Sequence, residues 1–357
     1  ELCRYCLMCR HTCPVTHVTR SEATSPHGWG LLVASVGRGI TPWTDDVVDV
    51  LYKCADCGLC QSHCVTDQPL PLAINATRAE LVDQQLAPSA VYDFQKALQT
   101  WENPYVEAKP KQAPFQGETA LIVGAIGHHF QAKTVTAALK LLEAAGVETV
   151  PIALGRETPY MANTLGLLDE ARTLAQNTLD EIQQVGAKRV FVLSPGEIYT
   201  YTTLLQFLGL TWPEDVELIE VTSFLADQLE AENLSFKSIT LSDYTFYDPD
   251  QTVRVADRWT APRKLLAAIS DTPPTELFWR KERAAPCGVS GGLAFTQPHL
   301  STQLAQARFT EASERGIKAI ITDDPQILHH LSQEVTNHPQ TIEIKSLFEL
   351  LAGQLTS

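Results

Sequence analysis

The chain has 357 residues, 44% of them hydrophobic and 19% charged, with a formal net charge of −15. That length suggests two or three domains with enough apolar surface for a core. No stretch reaches the ~18 consecutive apolar residues of a membrane helix, and the acidic balance argues against a nucleic-acid partner. Of nine cysteines, eight fall within the first 64 residues and only Cys287 lies beyond, a distribution unlike the disulfide framework of a secreted domain. The opening Glu1-Leu2-Cys3 has no basic-then-apolar leader, and a cysteine at the third position implies that residues lie upstream of this numbering.

The first cysteine run is Cys3-x-x-Cys6-x-x-Cys9-x-x-x-Cys13-Pro14, and the second is Cys54-x-x-Cys57-x-x-Cys60-x-x-x-Cys64-Val65. Both have the bacterial ferredoxin spacing for 4Fe-4S clusters. Two-residue gaps let a short loop present three thiolates to one cube, while the fourth cysteine leads away to the other cube. One cluster is therefore expected on Cys3, Cys6, Cys9 and Cys64, and the other on Cys54, Cys57, Cys60 and Cys13. Zinc would favour two pairs separated by a longer gap, and cysteines this close in a loop would strain as disulfides.

Pro14 is expected to open the segment after the first run, whereas Val65 departs from that pattern in the second. His63 reads as a bystander because its run already has four thiolates. Asp56 and Gly58 suit a tight ligand loop. Trp29 and Trp43 read as core more than as cluster shields. Asp45–Leu51 is expected to be a short helix leading into the second run, and 72–86 has a helical apolar period.

Residues 1–105 thus form a small helical, ferredoxin-like domain for two 4Fe-4S clusters. Residues 106–118, with two prolines and no period, read as a linker. Beyond it, short apolar runs alternate with helices: a strand at 119–124, a helix at 132–145, a strand at 148–154, a long helix at 161–185 and a strand at 189–194. This alternation predicts parallel sheets. A weak repeat runs through it: Gly186–Pro195 parallels Gly316–Pro325 at an offset of 130, and Ile219–Leu225 parallels Ile342–Phe348 at 123. The fold class is α+β multidomain, with α/β units at 119–238 and 239–357.

Together these features resemble the iron–sulfur subunits of the glycolate oxidase, lactate-utilisation and anaerobic glycerol-3-phosphate dehydrogenase systems, and the catalytic subunit of heterodisulfide reductase. That family carries Cys-Cys-Gly, Cys-Pro-x-Cys and His-Asp-Pro-Cys signatures in its repeat, which in some members hold further clusters. Here the scaffold of those signatures stands without the thiols. Tyr247-Asp248-Pro249-Asp250 resembles His-Asp-Pro-Cys, and Ala285-Pro286-Cys287-Gly288 resembles Cys-Cys-Gly. Ser194-Pro195-Gly196-Glu197 and Asp324-Pro325-Gln326-Ile327 occupy the Cys-Pro-x-Cys positions, Ala153-Leu154-Gly155 the other Cys-Cys-Gly, and Gly124-Ala125 a family Gly-Cys. One remaining cysteine cannot hold a cluster, so this region is a degenerate cysteine-rich domain.

Asp250 and Glu197 are weighed as hard-metal ligands against a surface or capping role, which is favoured. The pairs His128-His129 and His329-His330 point in different directions on a helix, and Cys287 reads as a buried relic. The resemblance implies an electron-transfer subunit of a multisubunit oxidoreductase, relaying electrons from a flavin-containing dehydrogenase partner to a further acceptor such as quinone. It implies no catalytic residue in this chain, a cytoplasmic location, and any membrane contact peripheral and made through partners. The competing readings are a catalytic subunit with a replacement metal or cofactor in the duplicated domain, and a docking scaffold.

Overall fold

The computed structural model describes residues 3, 6–255 and 257–356. Its N-terminal part is helical, with the cysteine runs at the ends of short helices: Met8–Thr12, Pro14–Thr19, Pro26–Gly37, Asp45–Leu51, Leu59–Ser62, Leu70–Asp83 and Ser89–Trp101. The helix at Asp45–Leu51 has the expected bounds, and the one expected over 72–86 runs Leu70–Asp83. Residues 106–118 carry no helix or strand, and Lys111 N–H donates to the Leu154 carbonyl at 2.8 Å, tying this segment to the first sheet.

Seven strands follow among the described residues: β1 (Thr119–Ile122), β2 (Val150–Ile152), β3 (Arg189–Val192), β4 (Glu217–Glu220), β5 (Tyr244–Phe246), β6 (Ala319–Thr322) and β7 (Glu343–Ser346). They form a four-stranded sheet of order β2-β1-β3-β4 and a three-stranded sheet of order β5-β6-β7. Every pairing is parallel, as expected when helices cross over between strands and cover both faces.

Side-chain alternation along β1 and β3 divides the core in two. Ala120, Ile122, Val190 and Val192 pack in one apolar cluster with Trp29, Leu51, Tyr52 and Ile74 of the helical part. Leu121 and Phe191 face the other way, into a cluster shared with Tyr244, Phe246, Ile321 and Leu347 of the second sheet. The first sheet is therefore the wall between the cysteine-bearing helices and the second sheet.

One sequence expectation is corrected. The single helix over 161–185 is two helices, Pro159–Thr164 and Leu168–Val185. Gly166 breaks it at φ +90°, and a Cβ there would lie 2.5 Å from the Arg78 backbone. The turn frees the Thr164 carbonyl for Arg78 and the Leu165 carbonyl for the Tyr52 hydroxyl. Along the two sheets, Arg189 pairs with Glu217 and Ala319 with Glu343. Glu217 and Glu343, which begin β4 and β7, lie 126 residues apart, against the 123 of the sequence match.

Candidate iron–sulfur site

In the first run, Leu7 at φ +59° turns the chain into the helix Met8–Thr12, which carries Cys9. Cys13 then sits in extended backbone at the N-cap of Pro14–Thr19. Pro14 at the first helical position has no N–H to lose and a preset φ, so it turns the new helix away from Cys13. In the second run, Asp56 (φ +49°) and Gly58 (φ +80°) curl the chain on either side of Cys57 before Leu59–Ser62 carries Cys60. At Gly58 a Cβ would lie 2.7 Å from Arg254 Nε, so glycine lets the guanidinium approach.

Cys13, Cys54, Cys57 and Cys60 line one cavity, walled by Pro14, Val15, Trp29, Leu59 and Pro71. Trp29 is both core and cavity wall: it is buried and its Nε1 donates to the Val50 carbonyl at 2.8 Å. Burial pushes the Cys54 thiol up to about 12 and raises Cys57 and Cys60 well above the ordinary thiol range. Four thiols in an apolar pocket do not ionise unaided, whereas coordinated iron deprotonates a thiol outright and supplies the missing positive charge. The site fits a thiolate-bound cluster.

Of these four, Cys13 and Cys54 are buried and Cys57 and Cys60 half-buried; of the other four, Cys9 and Cys64 are half-buried and Cys3 and Cys6 exposed. Burial raises the Cys9 thiol, and the neighbouring charges of Cys3, Cys64 and Cys6 raise it further. At Cys64, burial is outweighed by hydrogen bonds from the Thr66 hydroxyl and the backbone N–H groups of Gln68 and Thr66, which hold its thiol below the ordinary value. His63 hydrogen-bonds Ser62 and the Leu59 carbonyl, as a bystander would. Among the described residues, no three His, Cys, Asp or Glu side chains converge on a single metal ion.

The buried loop is held by a polar network that sequence reasoning missed. Asp56 accepts from Asn75 Nδ2 at 3.1 Å, Thr164 Oγ1 at 3.0 Å and Arg254 Nη2 at 2.7 Å. Arg78 donates through Nη2 to the carbonyls of Leu51 and Cys54, both at 2.8 Å. Its signal in the sequence is periodic: Arg78 falls between Ile74 and Leu81 on the buried face of its helix. Gly291, at φ +72°, lets the second sheet's loop rest on the Cys54 carbonyl, 2.5 Å from where a Cβ would stand.

Residues 1–68 match the 4Fe-4S dicluster domain family. Over 333 residues the chain is 23% identical to one component of the dihydromethanophenazine:CoB–CoM heterodisulfide reductase from Methanosarcina barkeri, covering 87% of this chain and 79% of that one. The matching component from Methanosarcina mazei is 22% identical, with the same coverage. This chain is an iron–sulfur protein related to heterodisulfide reductase. Its fold is similar to a crystal structure of a hypothetical protein from Helicobacter pylori, at a TM-score of 0.58 and 11% identity, covering 91% of this chain and 67% of that one.

Within this iron–sulfur protein, most of the thiol-free signatures meet in a second cavity. Gly124, Ala125, Ser194, Glu197, Asp250, Asp324 and Ile327 line it, with Glu157, Tyr160 and Gln251. It lies beyond the C-terminal ends of β1, β3, β5 and β6, where parallel sheets place their ligand sites. Glu197 makes a capping box with Ser194, and Asp324 caps Pro325–Glu334 through Oδ1. Asp250 is no surface residue: it is buried, accepts from Ser290 Oγ at 2.7 Å, and burial pushes its carboxyl up to about 6. Burial likewise pushes Glu197 up to about 8.

Ala153, Leu154 and Gly155 lie outside this lining. Cys287 lies outside it too, fully buried among Tyr247, Ala305 and Phe309. His329 stacks on Phe130 while His330 turns inward to the Cys287 carbonyl, so the paired histidines diverge.

Proposed function

We propose that this chain relays single electrons through two 4Fe-4S clusters, one on Cys3, Cys6, Cys9 and Cys64 and the other on Cys13, Cys54, Cys57 and Cys60. One observation carries the reading: Cys13, distant in sequence from the second run, lines the same buried cavity as Cys54, Cys57 and Cys60. Bound clusters supply one-electron storage. The chain supplies eight thiolates, a more enclosed pocket for one set and a more exposed position for the other.

The exposed set suits exchange with a partner, because electrons pass most readily over short distances. We assign that partner to a flavin-containing dehydrogenase and the final acceptor to a small carrier such as quinone. No helix among the described residues is long and apolar enough to cross a membrane, and any membrane contact is assigned to the other members of a cytoplasmic complex.

Residues 1–105 form the cluster domain in this reading, 106–118 the linker, and 119–238 and 239–357 two copies of one α/β unit serving mainly to dock partners. The matched β3–β4 and β6–β7 registers support the duplication. Anaerobic purification tests the function: about eight irons per chain, two reducible EPR signals and a co-purifying flavoprotein are expected. A chain without iron overturns it.

A further inference from the structure

Arg78 is fully buried, and each polar contact of its guanidinium is a backbone carbonyl. Nη2 donates to Leu51 and Cys54 at 2.8 Å each, and Nη1 to Thr164 at 2.7 Å and Gly291 at 3.4 Å. The guanidinium carbon lies 4.9 Å from the centre of the Tyr52 ring. Carbonyl dipoles take up the Nη donors, Nε has no hydrogen-bond partner among the described residues, and the charge is left uncancelled. The other cations at this loop are ion-paired, Arg254 with Asp56 at 2.7 Å and Lys53 with Asp49 at 2.5 Å. Asp250 adds negative charge on the Cys57 side and is hydrogen-bonded to Ser290, not to Arg78. At the exposed cysteine set, the neighbouring Arg10 is about half exposed and paired with Glu22 at 3.0 Å.

An added electron makes a thiolate-bound cluster more negative, and burial opposes that step because the more highly charged form loses more solvation. A fixed, unpaired cation on the ligand loop works in the opposite direction. We propose that Arg78 is a positioning residue that raises the reduction potential of the cluster held by Cys13, Cys54, Cys57 and Cys60, keeping it reducible despite its burial. The inference rests on the two-cluster reading above.

The test is an anaerobic, EPR-monitored redox titration of the full chain alongside Arg78→Gln and Arg78→Lys. Arg78→Gln is expected to lower one of the two midpoints by tenfold or more in the one-electron equilibrium, about 59 mV per decade, with the other unmoved. Arg78→Lys, which keeps the charge, is expected to stay within about threefold of the original by the same conversion. Unchanged midpoints in Arg78→Gln, or an equal fall in both variants, overturn the proposal. If Arg78→Gln binds only half the iron, Arg78→Lys decides: a retained midpoint supports the charge role, and a tenfold fall or the same iron loss overturns it. A starting protein without two separate clusters refutes the two-cluster reading itself, and that result is read before any variant.

Discussion

Replacing Gly291 by alanine presses on the contact between the second sheet's loop and the buried cysteine loop. Two costs add. Gly291 stands at φ +72°, and an L-residue in that left-handed region costs about 1–2 kcal/mol. The new Cβ would also lie 2.5 Å from the Cys54 carbonyl oxygen and 2.6 Å from Ala55 Cα. Backbone on both sides must yield, an overpacking cost of about 1–3 kcal/mol.

Gly316 provides the control, because its φ is also +72° and nothing lies within 4 Å of its Cβ position. Gly316→Ala should therefore show the conformational cost alone. Urea denaturation of the anaerobic, iron-loaded protein is expected to place Gly291→Ala about 1–3 kcal/mol below Gly316→Ala. Iron in Gly291→Ala should fall from about eight per chain towards four, because the displaced residue is Cys54. Equal destabilisation of the two variants with full iron in both would refute the packing argument.

Asp56→Ala leaves Arg254 buried without its carboxylate and is expected to cost about 3–5 kcal/mol in the same denaturation assay. Cys287→Ala should leave iron content and both EPR signals unchanged, since Cys287 lies outside both ligand sets; loss of iron would make it a ligand. Stability should depend on pH through the second cavity. Glu197 and Asp250 are pushed up to about 8 and about 6 by burial, so the folded chain binds their protons more tightly than the unfolded chain. Their contribution is complete below about pH 4, the ordinary carboxyl range, and is lost as pH rises towards about 8. Glu197→Gln, which preserves the capping pattern, should flatten that decline in a pH series of urea midpoints.

The local elements are legible in the sequence because each rests on a local rule. The short apolar run of Thr119–Ile122 and the acidic first turn of Asp45–Leu51 depend on neighbours in sequence. The break at Gly166 is not legible, because its cause is the Arg78 backbone arriving from a distant helix. Likewise, the spacing of the cysteines indicates the type of cluster, but the groups around them come from far along the chain. Arg254, Thr164 and Gly291 reach the buried loop only once the sheets assemble. Asp250 reads as surface in the sequence because nothing beside it there shows that Ser290 closes over it.

The central claim is the crossed pairing of ligands, and double cysteine replacements test it most directly. Cys13→Ser with Cys57→Ser removes two ligands of the same proposed set and should leave about four irons and one intact EPR signal. Cys13→Ser with Cys6→Ser strikes both sets and should leave neither cluster intact. The reverse pattern, with the second pair keeping one full cluster and the first pair losing both, would show that each run binds its own iron and would contradict the account.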